Sequence, residues 1–402
     1  MLASGTAAPA LAQDAAPAAD HALPITDDIT FTPLVDARLR WESVGQDNAL
    51  KHADAVTARV RLGGEVKAGP FAFLAESEAT LGIDNDYNSS TNDKTRFAGV
   101  SDPQNIELNR LQLVFTGISK TILTVGRQRI NIDDQRWVGA SGWRQNEQTF
   151  DAVRLQSKLL GPVDVDIAYS NSQRTVYGID AGPRTAFDGD YWLLGAGAKL
   201  GPVAVKAFSY LLDQGEASRF AFSSQTYGAR ATGAIPLGKA RISFAGSYAH
   251  QSDWKTAPVS YDANYYAAEL GATACGLGIT GGYEELGSDH GRAAVQTPLA
   301  TLHKFNGWAD QFPTTPNDGL RDYYATLSYA FTGVKALPGL KANVTYHRFD
   351  SDHDVRRYGD EWDASVGSRF GPVAVLVKYA DYSAKSFSVD THKFWLEFDW
   401  SY

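Results

Sequence analysis

From Ile29 to the end of the chain, apolar and polar residues alternate with a period of two. In the first run Phe31, Pro33, Val35, Ala37, Leu39 and Trp41 share one face, and Thr32, Leu34, Asp36, Arg38 and Arg40 share the other. Successive side chains of an extended chain point to opposite sides, so this alternation predicts a β-strand. The next run sets Val56, Ala58, Val60, Leu62 and Val66 against Thr57, Arg59, Arg61, Glu65 and Lys67. Similar runs begin near Val163, Val203, Ala240, Tyr323, Leu340 and Val373. Counting them all predicts about eighteen strands, of a length that suits the ~9–11 residues of a tilted membrane strand.

The connections alternate in length. Short ones lie at 67–71, 117–121, 160–163, 200–203, 236–239, 275–277, 332–339 and 371–373. Long polar ones lie at 43–53, 84–105, 131–148, 170–190, 212–224, 250–263, 287–320, 349–359 and 381–390. Four short ones carry the same corner: Gly69-Pro70, Gly161-Pro162, Gly201-Pro202 and Gly371-Pro372. Glycine frees the backbone there, and proline fixes φ where no ladder bond is needed.

A soluble β-sandwich buries its apolar face in a core, whereas a transmembrane barrel turns that face to lipid and its polar face to a wet lumen. Three features favour the barrel. The polar face is charged, strand after strand. Aromatic residues stand near strand ends on the apolar face (Trp41, Tyr169, Tyr248, Tyr329, Tyr346, Phe370, Tyr379), as in an interfacial girdle. The chain ends on alternating Phe394, Leu396, Phe398, Trp400 and Tyr402, which resembles the C-terminal insertion signal of bacterial outer-membrane proteins. The expected fold is therefore all-β: a transmembrane antiparallel up-and-down barrel over residues 29–402, with short periplasmic turns and long extracellular loops. No run approaches the ~18 apolar residues of a membrane-spanning helix. The mean hydropathy of −0.28 does not argue against the barrel, because alternating strands average out.

Residues 1–12 contain Ala10-Leu11-Ala12 before Gln13 and read as the remnant of a secretory signal, or as an Ala/Pro tail. Residues 13–28 are expected to lack order. Residues 297–308 are the one non-β passage: Thr297 as N-cap, Pro298 at the first helical position, and Leu299, Leu302 and Trp308 on one face predict a short helix. It would cap the mouth, fold into the lumen or lie on the surface.

The net charge of −9 gives a nucleic-acid role no support. With Cys275 as the single cysteine, no disulfide forms within the chain. No catalytic constellation or cofactor motif stands out; the Gly-rich stretch 195–201 has the wrong spacing for a dinucleotide loop. Asp350, Asp352 and Asp354 are weak candidates for Ca²⁺, as are Asp84 and Asp86, since none has the full ligand spacing.

The chemical signal lies on the inward face. By parity its basic members are Arg38, Arg40, Arg59, Arg61, Lys67, Arg110, Arg154, Lys158, Lys199, Lys206, Arg230, Arg241, Lys341, Arg369 and Lys378. Its acidic members are Asp36, Glu42, Glu65, Glu76, Glu78, Asp164, Asp166, Glu269, Glu284, Asp363, Glu397 and Asp399. An acidic protein whose lumen leans basic must keep its excess acids in the loops. Such a field favours anions, unless the charges pair with one another and merely fill the lumen. Lys67, Lys158, Lys199 and Arg369 stand two or three residues before the four corner glycines, which predicts a basic ring at the periplasmic mouth. Arg127 and Arg129 share the parity of the lipid-facing Leu123 and Val125. A bulge near Gly126 would turn them into the lumen; otherwise they stand above the girdle.

The segments VGRQRINIDDQRWVGASGWRQNEQTFDAVRL (125–155) and QTPLATLHKFNGWAD (296–310) resemble the alginate-export family of outer-membrane barrels. The resemblance spans most of the chain after Ile29. It implies an eighteen-stranded monomeric barrel that passes an anionic polyuronate through an Arg-rich constriction, and it places Arg127, Arg129, Asp133, Asp134 and Arg136 at the lumen or mouth. The expected function is a passive outer-membrane channel for an anionic saccharide or small anionic solute. The alternatives are a weakly selective nutrient porin, an outer-membrane enzyme and a plugged structural barrel. Expected partners are outer-membrane lipid and lipopolysaccharide, the solute, and the barrel-assembly machinery through Phe398, Trp400 and Tyr402.

Overall fold

The computed structural model describes residues 21–402. Nineteen strands follow in chain order: β1 (Leu23–Thr26), β2 (Ile29–Gln46), β3 (Ala53–Ala68), β4 (Phe71–Asp86), β5 (Asn105–Phe115), β6 (Thr121–Gln128), β7 (Thr149–Leu160), β8 (Val163–Arg174), β9 (Ala186–Leu200) and β10 (Val203–Gln214). Then come β11 (Ser224–Leu237), β12 (Ala240–Asp253), β13 (Asp262–Ala274), β14 (Leu277–Leu286), β15 (Leu320–Ala330), β16 (Lys341–Asp350), β17 (Arg357–Phe370), β18 (Val373–Ala384) and β19 (Thr391–Ser401). From β2 to β19 each strand pairs antiparallel with the next, and β19 returns to β2 along Thr391↔Gln46 to Ser401↔Asp36. The result is a closed barrel of eighteen strands without a free edge. The short β1 pairs only with the start of β2 (Leu23↔Phe31). Within the segment 13–28 expected to lack order, Leu23–Thr26 is therefore a strand; residues 13–20 and the proposed signal remnant, residues 1–12, lie outside the described residues.

The alternation determines the faces. Leu62, Leu81, Leu270 and Ile279 lie exposed on the outside, and Thr57, Arg59 and Arg61 are buried inside. Trp41, Tyr248, Tyr329, Tyr379 and Phe370 are exposed outward near strand ends. The four Gly-Pro corners are two-residue hairpins, closed by Ala68↔Phe71, Leu160↔Val163, Leu200↔Val203 and Phe370↔Val373. Their glycines sit at φ of 54°, 70°, 62° and 59°. Glycine at the first central position followed by proline is the type II′ pattern, whose twist matches that of the strands it joins. The Cys275-Gly276 turn has positive φ at both residues (50° and 86°), as type I′ requires.

The longest loops turn into the barrel. The 129–148 loop and the 287–319 loop meet there, joined by a bridge at Val138↔Leu299 and by Gly139 N–H to the Leu299 carbonyl at 2.9 Å. Ile130, Val138, Trp143, Val295 and Leu299 are buried among inward side chains of the wall such as Tyr210, Tyr265 and Trp395. The helix expected at 297–308 is a single 3-10 turn, Leu302–Lys304. Its neighbours spend their backbone groups on the other loop instead: Thr301 N–H reaches Gln135 O at 3.1 Å.

Candidate functional site in the lumen

One wall of the lumen is an ionic lattice beneath the loops. Arg40 (β2) faces Glu397 (β19) across the closing seam and bonds its carboxylate. It also reaches Asp102 at 3.3 Å and the carbonyl of Trp143, and its guanidinium stacks 4.1 Å from the Trp143 ring. Arg38 pairs with Asp399 at 2.8 Å and donates to the Gly142 and Trp143 carbonyls at 3.1 and 3.0 Å. Arg59 bonds Asp36, and Arg61 bonds Glu78 and stands 3.3 Å from Glu147. Arg110 grips Glu76 through two nitrogens, at 2.9 and 2.6 Å. A bulge of β5 against β4, at Glu76/Ser77, turns Arg110 inward. Glu42 faces Arg144 at 3.5 Å.

Burial alone would raise the Glu147 carboxyl, but the guanidiniums of Arg129 and Arg61 overcome it and pull the value down to about 2. Glu147 therefore stays ionised.

Beside this lattice, Lys378 is buried in an aromatic box. Its ammonium stands 3.8 Å from the Trp143 and Trp308 rings and 5.2 Å from Trp395. It donates to His303 Nε2 at 2.8 Å, and His303 Nδ1 lies 2.8 Å from Asp310. An ammonium has no lone pair, so Nε2 accepts and the proton of the ring sits on Nδ1. Burial and Lys378 together outweigh Asp310 and hold His303 well below the ordinary histidine value, in agreement with a neutral ring. Asp310 also receives Lys393 at 2.8 Å and Arg144 at 3.0 Å. Glu284 accepts from Arg136, Tyr265 and Asn306, and Asp363 accepts the Trp308 N–H at 3.2 Å. Tyr324 donates to Glu269 at 2.9 Å.

The opposite wall is wetter. Arg154 and Asp166 pair at 2.6 Å, Lys206 and Asp133 at 3.1 Å, and Arg230 and Asp134 at 2.8 Å, all with side chains 12–29% exposed. Gly195 makes room there: a Cβ on it would lie 2.7 Å from Lys206 Cε. Toward the periplasmic end Lys67 pairs with Glu65 and Lys158 with Asp164. Lys199, Arg241, Lys341 and Arg369 are exposed there, with no ion pair among the described residues.

Three expectations change. Arg127 is not in the lumen. No register shift occurs at Gly126; Arg127 lies opposite the lipid-facing Leu111 and pairs on the outer surface with Asp151 at 2.8 Å. Arg129 alone turns inward, because the chain leaves the sheet after Gln128, and it bonds Glu147. The Ca²⁺ candidates do not converge: Asp350 takes Arg348, Asp352 takes Arg321, and Asp354 is exposed. No group of acids or histidines able to hold a metal occurs among the described residues. The excess acids do belong to the loops, but the loops return Asp102, Asp133, Asp134, Glu147 and Asp310 to the lumen, where they neutralise the wall. Sequence reasoning also missed Trp143, Arg144 and Lys393 as lumen groups, and left open whether the segment with His303 and Trp308 enters the lumen. Most stand in loops, where no periodicity assigns a direction.

A closed eighteen-strand antiparallel barrel with inward loops is the architecture of an outer-membrane porin. Solved structures with the same fold include OccAB4 of Acinetobacter baumannii (TM-score 0.71, 14% identity, covering 94% of this chain and 98% of that one). The outer membrane protein OpdK (TM-score 0.70, 14% identity, 92% and 98%) and OpdO (0.71, 16%, 94% and 98%), both of Pseudomonas aeruginosa, share it too. One OpdK structure was solved with vanillate. The alginate export family is matched over residues 28–274, and the chain belongs to that family. Family and fold are those of channels, not enzymes. A search of curated proteins finds no match.

Proposed function

We propose that the barrel is a passive outer-membrane channel for anionic solutes, with a carboxylated saccharide such as a polyuronate as the favoured class. The observation that carries this reading is the set of lumen cations in contact with water. Lys206 and Arg230 are only partly covered, and Lys199, Arg241, Lys341 and Arg369 stand exposed on the inward face at the periplasmic end. A field of one sign along a narrow wet path concentrates counter-ions. Guanidinium forks suit carboxylates in particular. A weakly selective nutrient porin is the second reading, favoured by the pairing of Arg38, Arg40, Arg59 and Arg61 with carboxylates, which removes them from the field.

Planar-bilayer recording tests both. A KCl gradient across the reconstituted channel is expected to give a reversal potential on the anion side. Replacing Lys199, Arg241 and Arg369 by Glu is expected to move it toward zero or past it. Cation preference in the native channel overturns the anion reading, and the absence of current overturns the channel itself.

A further inference from the structure

Lys206 on β10 and Arg230 on β11 are register partners, directly opposite one another on the inward face. Like charges in that arrangement repel and weaken a sheet. Here each takes one carboxylate from two consecutive residues of the 129–148 loop. Asp133 lies 3.1 Å from Lys206 Nζ, and Asp134 lies 2.8 Å from an Arg230 nitrogen. A second Arg230 nitrogen donates to Ser247 Oγ at 3.0 Å, which fixes the fork.

The tip that delivers the acids is strained and tight. Asp133 and Gln135 have φ of 53° and 70°, and Gln135 N–H closes the turn onto Ile132 O at 2.8 Å. Non-glycine residues in this region cost free energy and gather at ligand clamps and switches. The loop is anchored independently of the two carboxylates. Arg136 holds Glu284 at 2.6 Å, and Ile132 N–H bonds Val138 O at 3.1 Å. The acids can therefore leave the cations while the loop stays seated. All four side chains keep 17–29% of their surface in water, unlike the pairs of the opposite wall.

We infer that Lys206 and Arg230 form a binding subsite for a solute carrying carboxylates on a ring, and that Asp133 and Asp134 occupy it as a built-in substitute which the solute displaces. The ring is argued from the same strand. Phe208 and Tyr210 follow Lys206 at two-residue spacing on the inward face but are buried, and Trp137, which covers them at 5.8 and 6.3 Å, is the ring left partly exposed. An apolar surface adjoining two cations suits a carboxylated ring better than a bare anion. The inference rests on the anion-channel reading and adds the place and manner of recognition.

The test is current block of the full chain in planar bilayers at low salt, with digalacturonate as the probe and neutral maltose as the control. Asp133→Asn/Asp134→Asn is expected to bring half-block to about tenfold lower digalacturonate, the size of effect that two partly exposed ion pairs can impose. Asp134→Asn alone is expected to give about threefold by the same arithmetic, and it keeps the turn at Asp133. Lys206→Gln/Arg230→Gln is expected to conduct but lose the block, with the response to maltose unchanged. Retained heat-modifiable mobility on gels shows that each variant is folded. Block of the Asp-to-Asn variants at an unchanged or higher concentration overturns the inference, as does equal block by maltose. An anion-selective native channel with indifferent variants fails the inference alone, whereas a cation-selective native channel fails the reading beneath it.

Discussion

On the wall built by β2, β3, β4 and β19, the side chains of Arg40, Arg59 and Arg61 are 0%, 1% and 8% exposed, whereas those of Lys206 and Arg230 across the lumen are 20% and 17% exposed. All five cations stand at inward positions of period-two strands, and all five have carboxylate partners. The loops make the difference. The carbonyls of residues 142–144 and the ring of Trp143 cover the first wall, while on the second Lys206 and Arg230 meet the loop through the carboxylates of Asp133 and Asp134. A charge pair sealed from water is costly to break, because removing one partner strands the other. A pair left in water exchanges partners at little cost. One wall thus serves as scaffold and the other as pathway, from the same residue types.

The largest expected effect is on the sealed wall. Arg40→Ala strands the buried Asp102 and leaves Glu397 with Arg38 alone, at 3.5 Å, and is expected to cost about 3–5 kcal/mol, read from urea unfolding in vesicles. A loss below ~1 kcal/mol would mean that this wall is as wet as the other. Trp143→Ala removes the ring over Arg40 and Lys378 and is expected to cost about 3–5 kcal/mol, with larger and noisier single-channel currents as the loops loosen.

A pH scan comes next. His303 is held neutral, so the unfolded chain takes up a proton that the folded chain refuses once the pH falls below the ordinary histidine value of ~6.5. Stability should therefore decline on acidification by about 1.4 kcal/mol per pH unit from this group, and His303→Gln should flatten that slope. Glu147, held at about 2, acts in the same direction lower down: its contribution is present above the usual glutamate value and fades as the pH falls toward 2. The smallest effect belongs to the wet wall. Arg154→Ala should change stability by less than ~1 kcal/mol yet reduce anion preference. That preference should itself fade as salt rises toward about 1 M, where the screening length is ~3 Å.

The barrel was legible in the chain because its signal is local. Alternation tells each strand which side is which, and the Gly-Pro corners mark where it turns. Lys378 shows how far that reach extends. Its inward direction followed from Val377 and Tyr379 beside it, but Trp143, Trp308 and His303 around it belong to loops 70–235 residues away, and only the fold brings them together. Arg127 fails for a related reason. Parity placed it outside, and the expectation of a bulge rested on its charge; an acid on the adjacent strand, Asp151, makes an outer position acceptable. The basic excess of the lumen was likewise counted on strands alone, without the acids that the loops bring back.

The seam between β19 and β2 bears on how the molecule is assembled. The last strand to emerge must find the first, and the side chains meeting there are Arg38 with Asp399 and Arg40 with Glu397. Until the two edges join, Arg38 and Arg40 lack the carboxylates of β19 that orient them toward the carbonyls of residues 142–144. Closure and loop docking are therefore one cooperative event, and the barrel carries its clasp on the inside, where lipid cannot reach it.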